Sequence, residues 1–506
     1  MPYEIEFKLR VPPQALPTVR KLPWLRGAGP VRRAKLVSVY FDTPKQRLRQ
    51  KGVVLRVRHL GRKRIQTVKT GGDGGLARGE WEREITSDLP DLTAAADSPL
   101  AGLAGAKLGR KLKPMFETEV VRTAIAVRLG KSLLEVALDQ GEIRAGRRRE
   151  RISEIEIELK KGEAADVIAL AQRIADAVPA RFEPRAKPER GYALCAGEAA
   201  KAVHAGDVVL EPSATTGEAF RAVGFSCLHQ LCANERGVRA ADSESVHQMR
   251  VGLRRLRAAM SVFRDLLRDS ESETVKAELK WLTEQLGPAR DFDVFVRESV
   301  APLSGTSAEM EILQKDIERR RDEGFKRARA AVDSERYRRL TLTIAFWLAN
   351  GGWSTTVDPL KVAPRQRPAT DFAAEVLGLR LAKIVKNTKK LDELDVRRRH
   401  KLRIAIKKLR YGCEFFASLF NGGKTRRRKL AAVLEELQDV LGVLNDLSVH
   451  RELAGEFIRH GPVEGRPEKA FAMGIVTGRE QTRFEACMAA AMEAGKRISR
   501  RDTFWG

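Results

Sequence analysis

The sequence predicts an α+β protein of two domains, an N-terminal antiparallel β sheet or closed barrel and a C-terminal all-α domain of two pseudo-repeated helical bundles. Three observations carry this. Over the first two hundred residues, apolar and charged side chains alternate with period two in short stretches. From residue 216 onward, long segments rich in Leu, Ala, Arg and Glu take over, with apolar residues at helical spacing. Within that helical part an 11-residue motif occurs twice, 153 residues apart.

In YEIEFKLRV, Glu4, Glu6, Lys8 and Arg10 share one face of a strand, and Tyr3, Ile5, Phe7, Leu9 and Val11 share the other. A short helix is expected over 13–21. Further strands are expected at 37–41, 53–60, 64–70, 80–85, 117–127, 132–143 and 153–161, separated by turn signals such as TGGDGG and DQGE. A helix follows over 163–177. Seven or eight strands at this spacing suit an antiparallel sheet or a closed barrel. This domain spans 1–200, a Gly/Pro/Ser/Thr-bearing linker spans 201–215, and the helical domain spans 216–500. A Pro-rich break, WSTTVDPLKVAPRQRPATDF, divides the helical domain into halves at about 216–352 and 371–500. The repeat lies across that break. HQMRVGLRRLR begins at His247 and HKLRIAIKKLR at His400, and LGPARDFDV (286–294) is echoed by LGVLNDLSV (441–449).

The chain of 506 residues has 94 basic against 67 acidic side chains, a formal charge of +27. That surplus calls for a polyanionic partner. Aromatic residues are only 6%, which leaves little for base stacking, and no nucleic-acid-reading motif is present. Nucleic acid is therefore the weaker partner and bare phosphate the stronger. The five cysteines form no CxxC pair, so zinc or a disulfide framework is not expected. Charge from residue 4 onward speaks against a secretory leader, and no apolar run approaches the ~18 residues of a membrane span. A cytoplasmic protein without a membrane partner is the expectation.

The charges on the strands are sorted by sign. Arg56 and Arg58 lie two apart on one strand, as do Thr67 and Lys69 on another, while Glu154, Glu156 and Glu158 line a third. Like charges along one face repel, so such a pattern persists where a ligand or metal neutralises it. Glutamates at i and i+2 put carboxylates about 6.5–7 Å apart, a spacing that brackets a hydrated hard cation. Inward-facing Arg and Lys supply the charge-assisted contacts that phosphate oxygens require. Together they describe a site for a metal-bound oligophosphate. TGGDGGLARG lacks the GxxxxGK[ST] form of a P-loop and reads as a loop at the mouth of the site.

YEIEFKLRV resembles the ExExK signature of the CYTH domain, the triphosphate tunnel metalloenzymes. The resemblance continues in family order through YFDTPKQRLRQKGVVLRVR, TVKTGG, ARGEWE, RTAIAV, LEVALDQGEIRAG, SEIEIELK and AKPERGYAL, across about 1–196. It implies an eight-stranded antiparallel tunnel with flanking helices that binds triphosphate with Mg²⁺ or Mn²⁺. By that resemblance Glu4 and Glu6 bind metal and Lys8 contacts phosphate. Arg56, Arg58, Lys69, Arg122 and Lys187 grip the phosphate chain, and Asp139, Glu154 and Glu156 hold a second metal or position the attacking water. Arg78, Glu80 and Arg190 join the site by the same resemblance, and Glu158 faces the tunnel or its mouth.

On a helix, His247, Arg250, Arg254 and Arg257 fall on one face, as do His400, Arg403, Lys407 and Arg410. Each basic stripe adjoins an apolar face. The pair of motifs resembles the CHAD domain over about 214–500, which implies that these eight residues bind inorganic polyphosphate, with Arg255, Lys408 and Arg290 extending the surface. Asn445 stands where the first copy has Arg290, so the halves differ there, and Asp291 and Asp446 read as pairing within the fold. The combined expectation is an inorganic triphosphatase that converts tripolyphosphate to pyrophosphate and phosphate, tethered to polyphosphate or its granules. The alternatives are a polyphosphate-binding protein without turnover and a hydrolase or cyclase acting on thiamine triphosphate or ATP.

Overall fold

The computed structural model describes residues 3–25, 29–70, 77–103, 108–197, 201–460, 466–481, 484–499 and 502–505. At positions 3, 4, 77, 78, 421, 445–460, 466, 480, 481 and 499 it describes the backbone alone. The chain divides into two compact units, Met1–Lys201 with Glu335–Gly351, and Ala202–Ser334 with Gly352–Gly506.

The first unit is built on β1 (Tyr3–Arg10), β2 (Val31–Asp42), β3 (Val53–Leu60), β4 (Lys63–Thr70), β5 (Ala77–Ile85), β6 (Lys113–Leu129), β7 (Ser132–Ala145), β8 (Arg148–Lys161) and the two-residue β9 (Arg181–Phe182). The order is β5-β4-β3-β2-β6-β7-β8-β1-β9, and a further β5–β1 pairing closes the first eight strands into a barrel. Every pairing is antiparallel. β3 and β4 match their alternating stretches to within a residue, whereas β2, β5, β6 and β8 extend several residues beyond theirs. The tight β6–β7 connection turns at Gly130, whose φ of 55° suits a residue without Cβ.

The barrel is apolar on its outer face, and its interior is charged around Glu154 and Glu156 but filled at one end by an apolar cluster of Tyr40, Phe116, Val120, Ile143, Ile152 and Tyr192. Phe41, Val53, Leu55, Val57 and Val68 are buried on the outer face beneath Leu48 of α2 (Arg47–Gln50) and Ala95, Leu100 and Leu108 of the 93–111 region. On the opposite side Phe7 and Leu9 are buried, with α3 (Ala164–Ala177) packed on β1 and β8 through Val167, Leu170, Ala171 and Ile174. The short α1 (Ala15–Arg20) buries Leu16 and Val19. The helix Glu335–Asn350, distant in sequence, completes this cover: Phe346 stacks on Phe7 at 5.4 Å and Arg338 donates to the Ala180 carbonyl at 3.1 Å. The helix α4 (Lys187–Ala196) enters one end of the barrel. A Cβ on Gly191 would stand 2.1 Å from the Phe116 ring, so that approach requires glycine. Tyr192 donates to the fully buried Asp42, whose carboxylate also accepts from the N–H groups of Thr43, Leu48 and Arg49.

The second unit is helical, with α5 (Thr216–Ala233), α6 (Glu235–Arg239), α7 (Ser243–Val262), α8 (Ser270–Phe295) and α9 (Ala308–Asp333); α10 is the helix Glu335–Asn350 of the first unit. Then come α11 (Gly352–Thr355), α12 (Pro359–Gln366), α13 (Ala369–Thr388), α14 (Val396–Phe415), α15 (Lys424–His460), α16 (Arg466–Gln481) and α17 (Phe484–Ser499). The repeat is visible in the backbone: α5 and α13 start 153 residues apart, as do α7 and α14. The starts of the two copies meet through Thr216 N–H to Arg367 C=O at 2.8 Å and Ala369 N–H to Ala214 C=O at 2.9 Å. These bonds are related by that same offset, as a local twofold requires. α7 and α14, which carry the basic motifs, pack against each other.

Candidate functional site

Register fixes which side chains share the lumen, because residues directly opposite in an antiparallel pair point to the same face. Lys8 pairs with Glu156, Glu6 with Glu158 and Arg10 with Glu154, while Asp139 pairs with Glu154 on one side and Arg122 on the other. These residues form one wall. Counting four strands round the closed barrel from β8 arrives at β3, so Arg56 and Arg58 lie across the lumen from Glu154 and Glu156.

The acidic wall is compact. Asp139, Glu154 and Glu156 each offer an oxygen within 4.8 Å of the others. Lys187 Nζ lies 2.8 Å from both Asp139 Oδ2 and Glu156 Oε1 and also contacts Glu154. Arg122 donates from Nε to Asp139 Oδ1 and from Nη2 to Asp139 Oδ2, both at 2.7 Å, and reaches Glu156 as well. Arg190 donates from Nη1 to Glu154 Oε2 at 2.7 Å and from Nε to Glu150 Oε1 at 2.8 Å. Lys8 Nζ stands 3.2 Å from Glu156 and 3.4 Å from Glu6. Burial alone would raise the Asp139 and Glu156 carboxyls; the charges of Lys187 and Arg122, with Lys8 at Glu156, outweigh it and hold both below the usual carboxylate range. The same exchange works in reverse on Lys8 and Lys187. Burial opposes their charge, yet the carboxylates around each raise it above the ordinary lysine value.

The facing wall is cationic. Lys69 Nζ lies 3.0 Å from Glu80 Oε1, and Arg56 Nη2 lies 3.4 Å from the same oxygen. Arg58 donates to Ser38 Oγ at 3.3 Å and, among the described residues, makes no ion pair. Burial, then the guanidinium groups of Arg56 and Arg122, push Arg58 down to about 10. It stays charged at neutral pH in a place short of negative charge, which is what an entering anion relieves.

Three hard carboxylate donors suit a divalent cation such as Mg²⁺ or Mn²⁺. The Lys187 ammonium marks the point where all three already hold a positive charge. Glu6 lies outside this trio, beside Lys8, and the side chains of Glu4 and Arg78 lie outside the described residues, as does the 71–76 part of the Gly-rich loop. Composition and motif gave no hint of Glu183, a 5%-exposed carboxylate beside β1 that pairs with Arg185 at 3.3 Å and Arg10 at 3.6 Å. Burial opposes its charge, but Arg185, Arg10 and Arg190 bring it down to about 2.

In the helical unit His247, Arg250 and Arg254 are half-buried and Arg257 is exposed on α7. Burial, then Arg290 and Arg254, push His247 down to about 4, so it is neutral at pH 7 within a cationic cluster. Arg250 pairs with Asp291 at 3.3 Å and Arg290 with Asp293 at 3.3 Å. On α14, His400 is exposed, Arg403 and Lys407 are half-buried, and Arg410 lies 3.4 Å from Glu435 and 3.9 Å from Glu414. The side chains of Asn445 and Asp446 lie outside the described residues. Arg255 does not extend the surface as expected. It is 2% exposed, donates to Gln230 Oε1 at 2.9 Å and lies 5.5 Å over the Phe415 ring, because its position shares the face of Gly252 and Ala259 that packs inward.

No helix among the described residues is long and apolar enough to cross a membrane. Residues 2–192 match the CYTH domain and residues 222–455 the CHAD domain. An inorganic triphosphatase of Haemophilus influenzae is 32% identical over 162 residues, 31% of this chain and 46% of that protein. An uncharacterized protein of Mycobacterium tuberculosis is 35% identical over 119 residues, 22% of this chain and 23% of that protein. The chain thus spans half or less of the length of these relatives. The crystal structure of the CHAD domain from the plant Ricinus communis matches 57% of this chain and 96% of its own at 27% identity, with a TM-score of 0.51. The closed eight-stranded barrel and the twofold helical repeat accord with these matches, and the chain carries a CYTH domain over residues 2–192 and a CHAD domain over residues 222–455.

Proposed function

We propose that the first unit is a divalent-metal-dependent inorganic triphosphatase, converting tripolyphosphate and water to pyrophosphate and phosphate, and that the second unit binds polyphosphate. The observation that carries the first half is the division of the lumen into a carboxylate trio on β7 and β8 and a cationic wall whose Arg58, on β3, makes no ion pair among the described residues. A triphosphate laid along the barrel sets its oxygens against Arg56, Arg58 and Lys69, and Lys8, Arg122 and Lys187 line the acidic side. Arg190 locks Glu154 in place, and Arg78 joins from β5. Asp139, Glu154 and Glu156, with Glu4 and Glu6, are the residues that hold Mg²⁺ or Mn²⁺. When bound, the metal offsets charge on the phosphoryl oxygens and lowers the cost of in-line displacement.

The chain's own part is positioning. Water attacks the terminal phosphorus, its oxygen forms the new P–O bond, and pyrophosphate leaves with the electrons of the broken anhydride. Asp139 and Glu156 are held low and are weak bases, so they orient the water rather than deprotonate it early. That suits the loose transition state of phosphoryl transfer, where electrostatics and alignment do most of the catalysis. The triphosphatase name of the Haemophilus influenzae relative supports the same chemistry.

For the second unit, His247, Arg250, Arg254 and Arg257 with His400, Arg403, Lys407 and Arg410 are the polyphosphate contacts, and the same surface would hold the protein on a polyphosphate granule. The test offers the purified full chain tripolyphosphate, long-chain polyphosphate, ATP and thiamine triphosphate with Mg²⁺ and measures phosphate release. Tripolyphosphate should be turned over fastest. Tight polyphosphate binding without turnover of any of the four would leave a receptor instead. Replacing Arg250, Arg254, Arg403 and Lys407 with glutamine should weaken long-chain polyphosphate binding at least tenfold; unchanged affinity would contradict the assignment.

A further inference from the structure

The carboxylates of the acidic wall converge on one point, and a side chain of the protein itself stands there. Asp139 and Glu154 are fully buried, and an oxygen from each, with one from Glu156, lies within 4.8 Å of the others. Four cations answer the trio, but unequally. Lys8 touches Glu156 and is shared with Glu6, while Arg190 touches Glu154 and is shared with Glu150. Arg122 reaches Asp139 and Glu156. Among the described residues Lys187 alone reaches all three, at 2.8 Å from Asp139 Oδ2, 2.8 Å from Glu156 Oε1 and in contact with Glu154 Oε1. That last oxygen is buried and accepts no well-aligned hydrogen bond, so its lone pairs remain for a cation standing where the ammonium stands.

The attachment of Lys187 lets its ammonium move while its helix stays. Lys187 is the first residue of α4, ahead of Pro188. The helix is pinned further along: Arg190 donates to Glu154 Oε2 at 2.7 Å and to the Arg151 carbonyl at 2.9 Å, Tyr192 donates to Asp42 at 3.0 Å, and Gly191 packs on the Phe116 ring. None of these contacts involves Lys187. A lysine carries its charge on a flexible four-carbon stem, so rotation about that stem withdraws the ammonium without shifting α4. Withdrawal is what a metal ion at the trio demands. A divalent ion held by the same three oxygens would stand at contact distance from the ammonium, and two cations that close in a buried site repel strongly. The point holds one or the other.

We infer that Lys187 and the divalent metal are alternative occupants of the carboxylate trio, and that the phosphate chain governs the exchange, its oxygens receiving the ammonium as the trio receives the metal. The inference rests on the reading that the trio holds metal and the lumen holds oligophosphate; it adds that this one lysine couples the two. Without phosphate the displaced ammonium has only the cationic wall of Arg56, Arg58 and Lys69 to face, so metal binds weakly. With phosphate in the lumen the ammonium has an anion to go to, and each ligand favours the other. Lysine suits this part. Its three N–H donors meet three carboxylates as a compact point charge, which the planar fork of an arginine does not reproduce.

The test is titration of the full chain with Mn²⁺ alone, read by the electron paramagnetic resonance of the unbound ion, for the wild type, Lys187→Gln, and Lys187→Gln with Asp139→Asn. Circular dichroism confirms that each is folded. Lys187→Gln should bind Mn²⁺ at least tenfold more tightly than the wild type, and Asp139→Asn in that background should remove the gain. The titration is then repeated with a saturating bis-methylene analogue of tripolyphosphate, which is not hydrolysed. The analogue should raise the Mn²⁺ affinity of the wild type at least tenfold and that of Lys187→Gln by less. Equal Mn²⁺ affinity of the wild type and Lys187→Gln without the analogue would overturn the exclusion, and a gain that survives Asp139→Asn would place the ion elsewhere and overturn it too. Equal enhancement by the analogue in both proteins would overturn the coupling. No Mn²⁺ binding by any variant, with or without the analogue, would instead remove the metal site itself, and with it the reading on which the exchange rests.

Discussion

Glu183 shows how closely the lumen's charges are tied to folding. Its carboxylate is depressed to about 2 by Arg185, Arg10 and Arg190 against the opposing effect of burial. A depressed carboxylate contributes stability that is complete above the usual carboxylate range and is lost as pH falls through about 2. The shift corresponds to about 3 kcal/mol at most. Glu183→Gln should therefore melt at lower temperature than the wild type at pH 7 and lose less between pH 4.5 and pH 2; melting curves that run parallel over that window would contradict the pairing. No motif marks Glu183, since a lone carboxylate in RFEPRAK reads as a loop residue. Glu154 and Glu156 were legible because alternation put them on one face. Lys187 was legible only through the family resemblance, since nothing in its local pattern says that a helix start would deliver it to Asp139.

Among the elements, the strands declared themselves and the helices named no partner. Period-two alternation marks a strand wherever one face is apolar, and here the apolar face is the outer one, so the charged face of β1 is the lumen. The amphipathic pattern of α10 marks a helix equally well but says nothing of where it docks. It lies within residues that sequence places in the first helical half, and it covers Phe7 on the barrel. Phe346→Ala in the full chain should destabilise the first unit by about 2 kcal/mol, less than a fully buried phenylalanine costs, read by denaturant unfolding; no change would mean that the stacking is incidental. Gly191→Ala tests the entry of α4. The added methyl meets Phe116, so either helix or ring must move, and Lys187 and Arg190 move with the helix. Stability should fall by about 1–3 kcal/mol and the KM for tripolyphosphate should rise; wild-type KM in a folded variant would separate α4 from the site.

On the scale of the whole molecule, the +27 charge raised the expectation of a polyanion, and the repeat that of two related bundles. Neither could reveal which cations of the repeat are paired within the fold, as Arg250 is with Asp291 and Arg410 with Glu435, because that depends on which helices meet in space. Arg255 makes the same point in reverse, a member of a basic motif that packs inward against Gln230. In the proposed function the two units share a chemistry, one a lumen for a short phosphate chain, the other a basic surface for a longer one. The most direct test of that account is phosphate release from tripolyphosphate with Mg²⁺ by the wild type and by Glu156→Gln, each confirmed as folded by circular dichroism. The account predicts turnover by the wild type and a loss on the order of a hundredfold or more in the variant, as expected when a preorganised charge is removed. Turnover by Glu156→Gln at the wild-type rate would contradict it.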